Sequence, residues 1–228
     1  MKPMSEAPAS PSSGALQRVV YFMVKNSLLL WGLLFHRIQK IFYGNGHFAG
    51  GRLLVSNHQS NLDPGLIGAV LPCQSNFLAK KELFSVPVIG WIIKTCNGIP
   101  LDRGGVDRGA LKRAIHVLRT GEKLLLFPEG TRSLDGQLGQ GKPGAGMIAA
   151  MAGVPCVPIY IDGSGKAMPK GASMIRPHKI KVLFGEPFSL PQKSEGTSTK
   201  EYYQQCADEM MSRIAEVRDR YFSSMTQA

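Results

Sequence analysis

Between residues 53 and 184, short apolar runs alternate with stretches of helical periodicity. The runs fall at 53–56, 77–79, 99–101, 123–127, 156–161 and 180–184. Runs of this length bounded by turn residues predict buried strands. The intervening segments predict helices at about 64–70, 82–95, 106–119 and 142–152. In the third of these, Leu111, Ala114, Ile115 and Leu118 share one face, and Gly121 closes it. His116 lies off that stripe beside Lys112 and Arg119 and reads as solvated. Strands alternating with helices imply an α/β fold: a mixed, largely parallel sheet flanked by helices.

The ends are patterned differently. Residues 1–14 are rich in Pro, Ser and Ala and read as a flexible tail. Residues 15–43 read as a membrane-interface helical segment, in one helix or a hairpin of two. Val19 to Phe35 is almost wholly apolar apart from Lys25-Asn26-Ser27. A spanning helix needs about 20 mostly apolar residues. This run is slightly short and holds a lysine. Arg18, Lys25, Arg37 and Lys40 would meet lipid phosphates from an interfacial position. A helix buried against the main domain and a single span are the alternatives. The glycines between 44 and 51 place a domain boundary at 44. The segment 142–152 is rich in small residues, which permit close helix packing. Residues 199–222 form an amphipathic helix, with Cys206, Met210, Ile214, Val217 and Tyr221 on one face.

Composition narrows the partners. The 228 residues carry a formal charge of +11, which suits anionic lipid or a phosphorylated substrate. No nucleic-acid-binding signature accompanies it, so nucleic acid is not an expected partner. The four cysteines, Cys73, Cys96, Cys156 and Cys206, are scattered. They form no metal-ligand pattern and read as structural residues of a reducing compartment, so no metal is expected.

Three loops that follow predicted strands carry polar groups the fold does not require. The first is Asn57-His58-Gln59-Ser60-Asn61-Leu62-Asp63. Within one helix, side chains five positions apart diverge by about 140° and about 7.5 Å. His58 and Asp63 meet only if the histidine sits in a turn and the aspartate opens the next helix. The pair would then hold one ring nitrogen and free the other as a base, or it would serve only as a cap. The second loop runs from Gly98 to Gly105 and carries Arg103; the third, 127–133, carries Glu129 and Arg132. Planar guanidinium groups beside glycines suit a phosphate. Ligands gather at the carboxyl ends of strands in open α/β sheets, so the loops could share one cleft. Lys80, after another strand, is a weaker phosphate candidate.

These stretches resemble the four motifs of the glycerolipid acyltransferases, most closely the 1-acyl-glycerol-3-phosphate acyltransferases. The fourth is Val154-Pro155-Cys156-Val157-Pro158-Ile159. The likeness covers about 53–190. Two departures are Pro64-Gly65 directly after the first motif and Leu101 where a phenylalanine is frequent. The resemblance implies an enzyme that moves an acyl chain from an acyl thioester to the 2-hydroxyl of a lysophosphatidic acid. The donor would be acyl-CoA or acyl-ACP, and acyl carrier protein a possible partner. His58 would be the base, oriented by Asp63. Arg103, Glu129, Gly130, Thr131 and Arg132 would hold the acceptor. The backbone N–H groups after His58 are candidates for stabilising the oxyanion. No cofactor is implied beyond the thioester, and the expected location is the cytoplasmic face of a membrane. The same chemistry on another lysolipid or on glycerol 3-phosphate, and a non-catalytic phospholipid-binding protein, are the competing readings.

Overall fold

The computed structural model describes residues 15–45, 48, 50–102 and 107–226. Seven strands form one sheet, and the order along it is β1 (Gln39–Phe42), β7 (Lys181–Phe184), β6 (Cys156–Asp162), β2 (Arg52–Ser56), β5 (Lys123–Leu126), β3 (Asn76–Lys80), β4 (Gly98–Leu101). The five strands from β6 to β4 are parallel, whereas β7 runs antiparallel to β6 and carries β1 parallel to itself. The expected mixed, largely parallel sheet is therefore present.

Both faces are covered, which explains why the strands read as continuous apolar runs rather than alternating ones. In β2, Leu53 and Val55 enter the core beneath α4 (Arg108–Arg119), α5 (Pro143–Ala152) and α7 (Thr199–Thr226). Leu54 enters the opposite core with Leu66 and Ile67 of α2 (Asp63–Val70). Met210, Ile214, Val217 and Tyr221 of the stripe face the first core and Cys206 is buried, so the C-terminal helix docks on the sheet as its periodicity predicts.

The small residues of α5 meet the side of α7. A Cβ on Gly146 would collide with the carbonyl oxygen of Tyr203, and one on Gly141 with that of Ala207.

Three elements differ from the sequence reading. The segment 15–43 is not helical throughout. It is one helix, α1 (Ala15–His36), and then the edge strand β1, so the expected hairpin is absent and the boundary at 44 falls after a strand of the main sheet. The helix expected at 82–95 divides into a 3-10 turn, Lys81–Ser85, and α3 (Ile89–Thr95). Pro87 causes the break, because it drives Val86 to an extended conformation. A short helix, α6 (Ser164–Ala167), follows β6, where the sequence reading assigned no element.

Helix α1 lies along α2. Tyr21 accepts from the Ser75 N–H, Lys25 donates to the Leu71 carbonyl, and His36 Nδ1 lies 3.2 Å from the His178 carbonyl. Its other face is bare: Val19, Phe22, Met23, Leu30, Leu33 and Leu34 are all half or more exposed.

Gly146→Ala is expected to lower the melting temperature by several degrees, because overpacking a close helix contact costs about 1–3 kcal/mol. Gly144→Ala on the same helix meets nothing within 4 Å and should be neutral or mildly stabilising. Thermal unfolding of the two variants compares them directly.

Candidate active site

Strand β2 ends at Ser56, and Asn57 secures the loop beyond it. Its side chain donates to the Ile161 carbonyl at 3.0 Å and accepts from the Ile161 N–H at 2.8 Å, a two-bond clamp on β6. The chain then turns through His58 and enters α2 at Asp63, with Pro64 in the first helical turn where its missing N–H costs nothing. The departure at Pro64-Gly65 is thus accommodated.

Asp63 is completely buried, and its Oδ2 accepts three hydrogen bonds: His58 Nδ1 at 2.8 Å, Gln59 N at 2.7 Å and Ser60 N at 2.8 Å. One carboxylate oxygen therefore shapes the loop and aligns the imidazole. The two N–H groups after His58, expected to face an oxyanion, are spent on Asp63. Four contacts fix His58 itself. Asp63 takes Nδ1, Glu129 Oε1 accepts from its backbone N–H at 3.1 Å, and its carbonyl accepts from Ser133 N at 2.7 Å. Its ring stacks on Phe127 with centroids 4.1 Å apart. Nε2 is the ring nitrogen left for chemistry.

His58 lines a cavity of about 380 Å³ at the carboxyl edge of the sheet. Leu78, Leu101, Leu111, Met147 and Ile148 make most of it apolar, and Asp102, Asp107, Gly130 and Lys142 supply polar groups. The volume lies within the range of small-molecule sites, roughly 300–1,000 Å³. The loops after β2, β4 and β5 converge here, as their positions after parallel strands require.

The remaining site candidates divide. Gly130, in the left-handed region at φ 65°, lines the cavity, but its N–H closes a turn onto the Phe127 carbonyl. Thr131 is exposed and Arg132 half-buried on the same loop. Arg103 lies outside the described residues, although Leu101 and Asp102 bring the second motif to the cavity wall. Lys80 is not part of that wall; it sits half-exposed at the end of β3, 4.0 Å from Glu82.

Glu129 makes contacts that the sequence reading did not assign. It is buried, both carboxylate oxygens accept from backbone N–H groups, His58 at 3.1 Å and Gly139 at 3.3 Å, and no ion pair joins it to Arg132. Burial raises its pKa from 4.5, against the lowering effect of these bonds. It braces the histidine loop.

The sequence reading passed over Lys142 and Gln59. Lys142 precedes Pro143 at the start of α5 and reaches the cavity, with its side chain beside Gly130. Gln59 is buried and donates to the Gly136 carbonyl at 3.2 Å. The Gly-Lys-Pro-Gly punctuation before the small-residue helix is the signal that could have marked Lys142.

None of the four cysteines lines the cavity. Burial pushes the Cys96 thiol up to about 11 and the Cys156 thiol up to about 12, which disfavours the thiolate a nucleophile requires.

An imidazole aligned by a carboxylate above an apolar cavity, at the edge of an α/β sheet, is an arrangement chemically able to serve as a base beside an apolar chain. Residues 35–162 match the family model described as Acyltransferase. The chain belongs to the acyltransferase family. It is 43% identical over 138 residues to a chloroplastic 1-acyl-sn-glycerol-3-phosphate acyltransferase of Brassica napus, covering 58% of this chain and 39% of the relative. The enzyme of that name from Bacillus subtilis is 31% identical over 172 residues, covering 72% of this chain and 83% of the relative. The chain spans about two-fifths of the length of its relatives from Brassica napus, Arabidopsis thaliana and Chlamydomonas reinhardtii, 38–40%. The crystal structure of the 1-acyl-sn-glycerophosphate (LPA) acyltransferase PlsC from Thermotoga maritima superposes with a TM-score of 0.67 at 29% identity, covering 89% of this chain and 81% of that one.

Glu129→Gln must set an amide NH₂ against one of the two N–H donors. A buried donor left without an acceptor costs about 1–3 kcal/mol. A chain of this size should lose roughly 2–4 °C of melting temperature per kcal/mol. The pH dependence follows from the raised pKa. The folded state binds more protons than the unfolded one above pH 4.5, so Glu129 makes stability fall as pH rises through that window. Melting curves measured upward from pH 4.5 should show this slope in the parent chain and a flatter one in Glu129→Gln.

Proposed function

We propose that the protein transfers an acyl chain from a thioester, acyl-CoA or acyl-ACP, to the free 2-hydroxyl of 1-acyl-glycerol 3-phosphate, giving phosphatidic acid. The observation that carries this reading is the His58–Asp63 pair at the wall of an apolar cavity. Nε2 of His58 takes the hydroxyl proton as the oxygen attacks the thioester carbonyl. A C–O bond forms, the C–S bond breaks, and the imidazolium returns its proton to the departing thiolate. Asp63 holds Nδ1–H and stabilises the imidazolium without itself moving a proton. The acceptor oxygen is the nucleophile, so the reaction needs no acyl-enzyme and no cofactor beyond the thioester.

The cavity beneath α4 and α5 takes the apolar chain of the donor. The phosphate of the acceptor meets the loop 130–132, with the Arg132 guanidinium as its fork of donors and Arg103 as a second one. Lys142, beside Gly130, adds a positive charge at the same wall. Both the acceptor and the product are bilayer lipids. The exposed apolar face of α1 rests in the membrane interface, because the opposite face packs on α2 and is bonded to the main domain at Ser75, Leu71 and His178. A helix held lengthwise in this way lies flat and does not cross. The expected side is the cytoplasmic one, where anionic lipid meets the positive charge.

A purified chain given a panel of lyso-acceptors and both donor types, with products resolved by mass, tests the reaction. His58→Ala should lower kcat by roughly 10²–10⁴-fold with the fold intact, the usual range for a general base. Asp63→Asn should lower it comparably, and Arg132→Ala should chiefly raise KM for the acceptor. Near-normal turnover by His58→Ala would remove the mechanism.

The cavity makes a separate prediction about chain length. Leu111→Trp should shift product toward shorter acyl chains in competition between mixed thioesters, and Met147→Ala toward longer ones. Mass analysis of the phosphatidic acid formed reads the shift.

A further inference from the structure

The apolar surface of α1 is not the only such surface on this protein. Three further places with exposed large apolar side chains lie at the carboxyl edge of the parallel strands, where His58 sits; Phe42, Met151, Phe222 and Met225 are exposed as well, on β1, α5 and α7. The first is the turn between the 3-10 helix and α3, which follows β3. Here Val88 is 69% exposed, Trp91 56% and Ile89 47%. The second is Leu134, 83% exposed, in the loop after β5. The third is the loop between α6 and β7, with Met174 at 74% and Ile175 at 44%.

The first and third are built features. The turn is closed by hydrogen bonds from Val86 N to Leu83 O and from Gly90 N to Val86 O. Gly90 packs so tightly on the Phe84 carbonyl that a Cβ there would collide with it. Val88 adopts φ +63°, a left-handed conformation that a β-branched residue rarely enters. The loop 168–176 is tied over the histidine loop: Ser60 Oγ donates to the Met168 carbonyl at 2.9 Å, and Lys170 Nζ to the Arg132 carbonyl at 3.4 Å.

The charges around these residues identify the partner. Residues 163–185 carry Lys166, Lys170, Arg176, Lys179 and Lys181 and no Asp or Glu. The turn is flanked by Lys80, Lys81 and Lys94 against the single acid Glu82. Apolar tips ringed by lysine and arginine fit the headgroup region of an anionic bilayer. The turn is also continuous with the bare face of α1, because α3 packs against that helix.

We propose that the Val86–Trp91 turn and the Met174–Ile175 loop tip insert into an anionic lipid bilayer on either side of the site, as membrane contacts additional to α1. The proposal rests on the membrane setting argued above, but not on the reaction assigned to the site.

The chain contains two tryptophans, Trp31 and Trp91. Trp31→Phe therefore leaves Trp91 as the only indole reporter. On addition of phosphatidylcholine vesicles containing phosphatidylglycerol, Trp91 emission should shift to the blue. Lipids brominated near the glycerol end of the acyl chain should quench it. Co-sedimentation with unchanged Trp91 emission overturns the proposal, and so does failure to sediment at all. A double substitution Val88→Asp/Ile89→Asp, and separately Met174→Asp/Ile175→Asp, should each lower vesicle partition by roughly tenfold, as charge enters an apolar interface contact. Circular dichroism checks the fold of each, and unchanged partition by the folded variants overturns the proposal. Turnover on a short-chain acceptor dispersed as monomers should be unaffected by either pair. A chain whose Trp91 inserts but which transfers no acyl group upholds the membrane contacts and removes the assigned reaction.

Discussion

The site depends on a single oxygen atom. Oδ2 of Asp63 accepts from the His58 ring and from the next two backbone N–H groups. The backbone bonds fold residues 58–60 around the carboxylate, and the ring bond then has only one geometry available. Oδ1 of the same carboxylate is buried with no partner. A buried acceptor without a donor costs stability, on the order of 1–3 kcal/mol. The arrangement gives up stability at one oxygen and concentrates every donor on the other, the one facing His58. Local rules of satisfaction are commonly broken at working sites in this way.

The second restraint on His58 comes from 71 residues away. Glu129 reaches under the histidine loop, accepts its backbone N–H, and uses its other oxygen on Gly139. A Cβ on residue 139 would fall 2.9 Å from Glu129 Oε2 and press that carboxylate out of its present position. Asn57 makes an equivalent crossing to Ile161. The loop is therefore braced by β5 through Glu129 and by β6 through Asn57. Motifs distant along the chain act as parts of one support.

The sheet and most helices were legible because burial on both faces leaves unbroken apolar runs and a clear helical stripe. Residues 53–56 and the face bearing Met210 and Ile214 are examples. The His58–Asp63 pair was legible because its spacing permits contact only across a strand-to-helix turn. Other features had no local signature. Gln39-Lys40-Ile41-Phe42 follows an apolar helix so closely that its alternation was absorbed into it, and only pairing with β7 makes it a strand. The break at Pro87 was written in the sequence but was outweighed by the apolar residues on both sides. The bonds of Glu129 could not be read, since its partners are the backbone N–H groups of His58 and Gly139, which no local pattern links to it.

Helix α2 joins these levels. It has eight residues and is about 12 Å long. Its first residue is Asp63, and its flank carries α1. The packing is close: a Cβ on Gly65 would meet Leu28 at 3.7 Å, and one on Gly32 would meet Leu66 at 3.6 Å. The helix whose outer face is bare and the carboxylate that orients His58 thus belong to one rigid assembly. In the interfacial placement proposed for α1, the depth of that helix fixes the height of His58 above the lipid. The site would then need no hinge to meet a lipid acceptor, because the element that seats the protein is packed against the element that aligns its base.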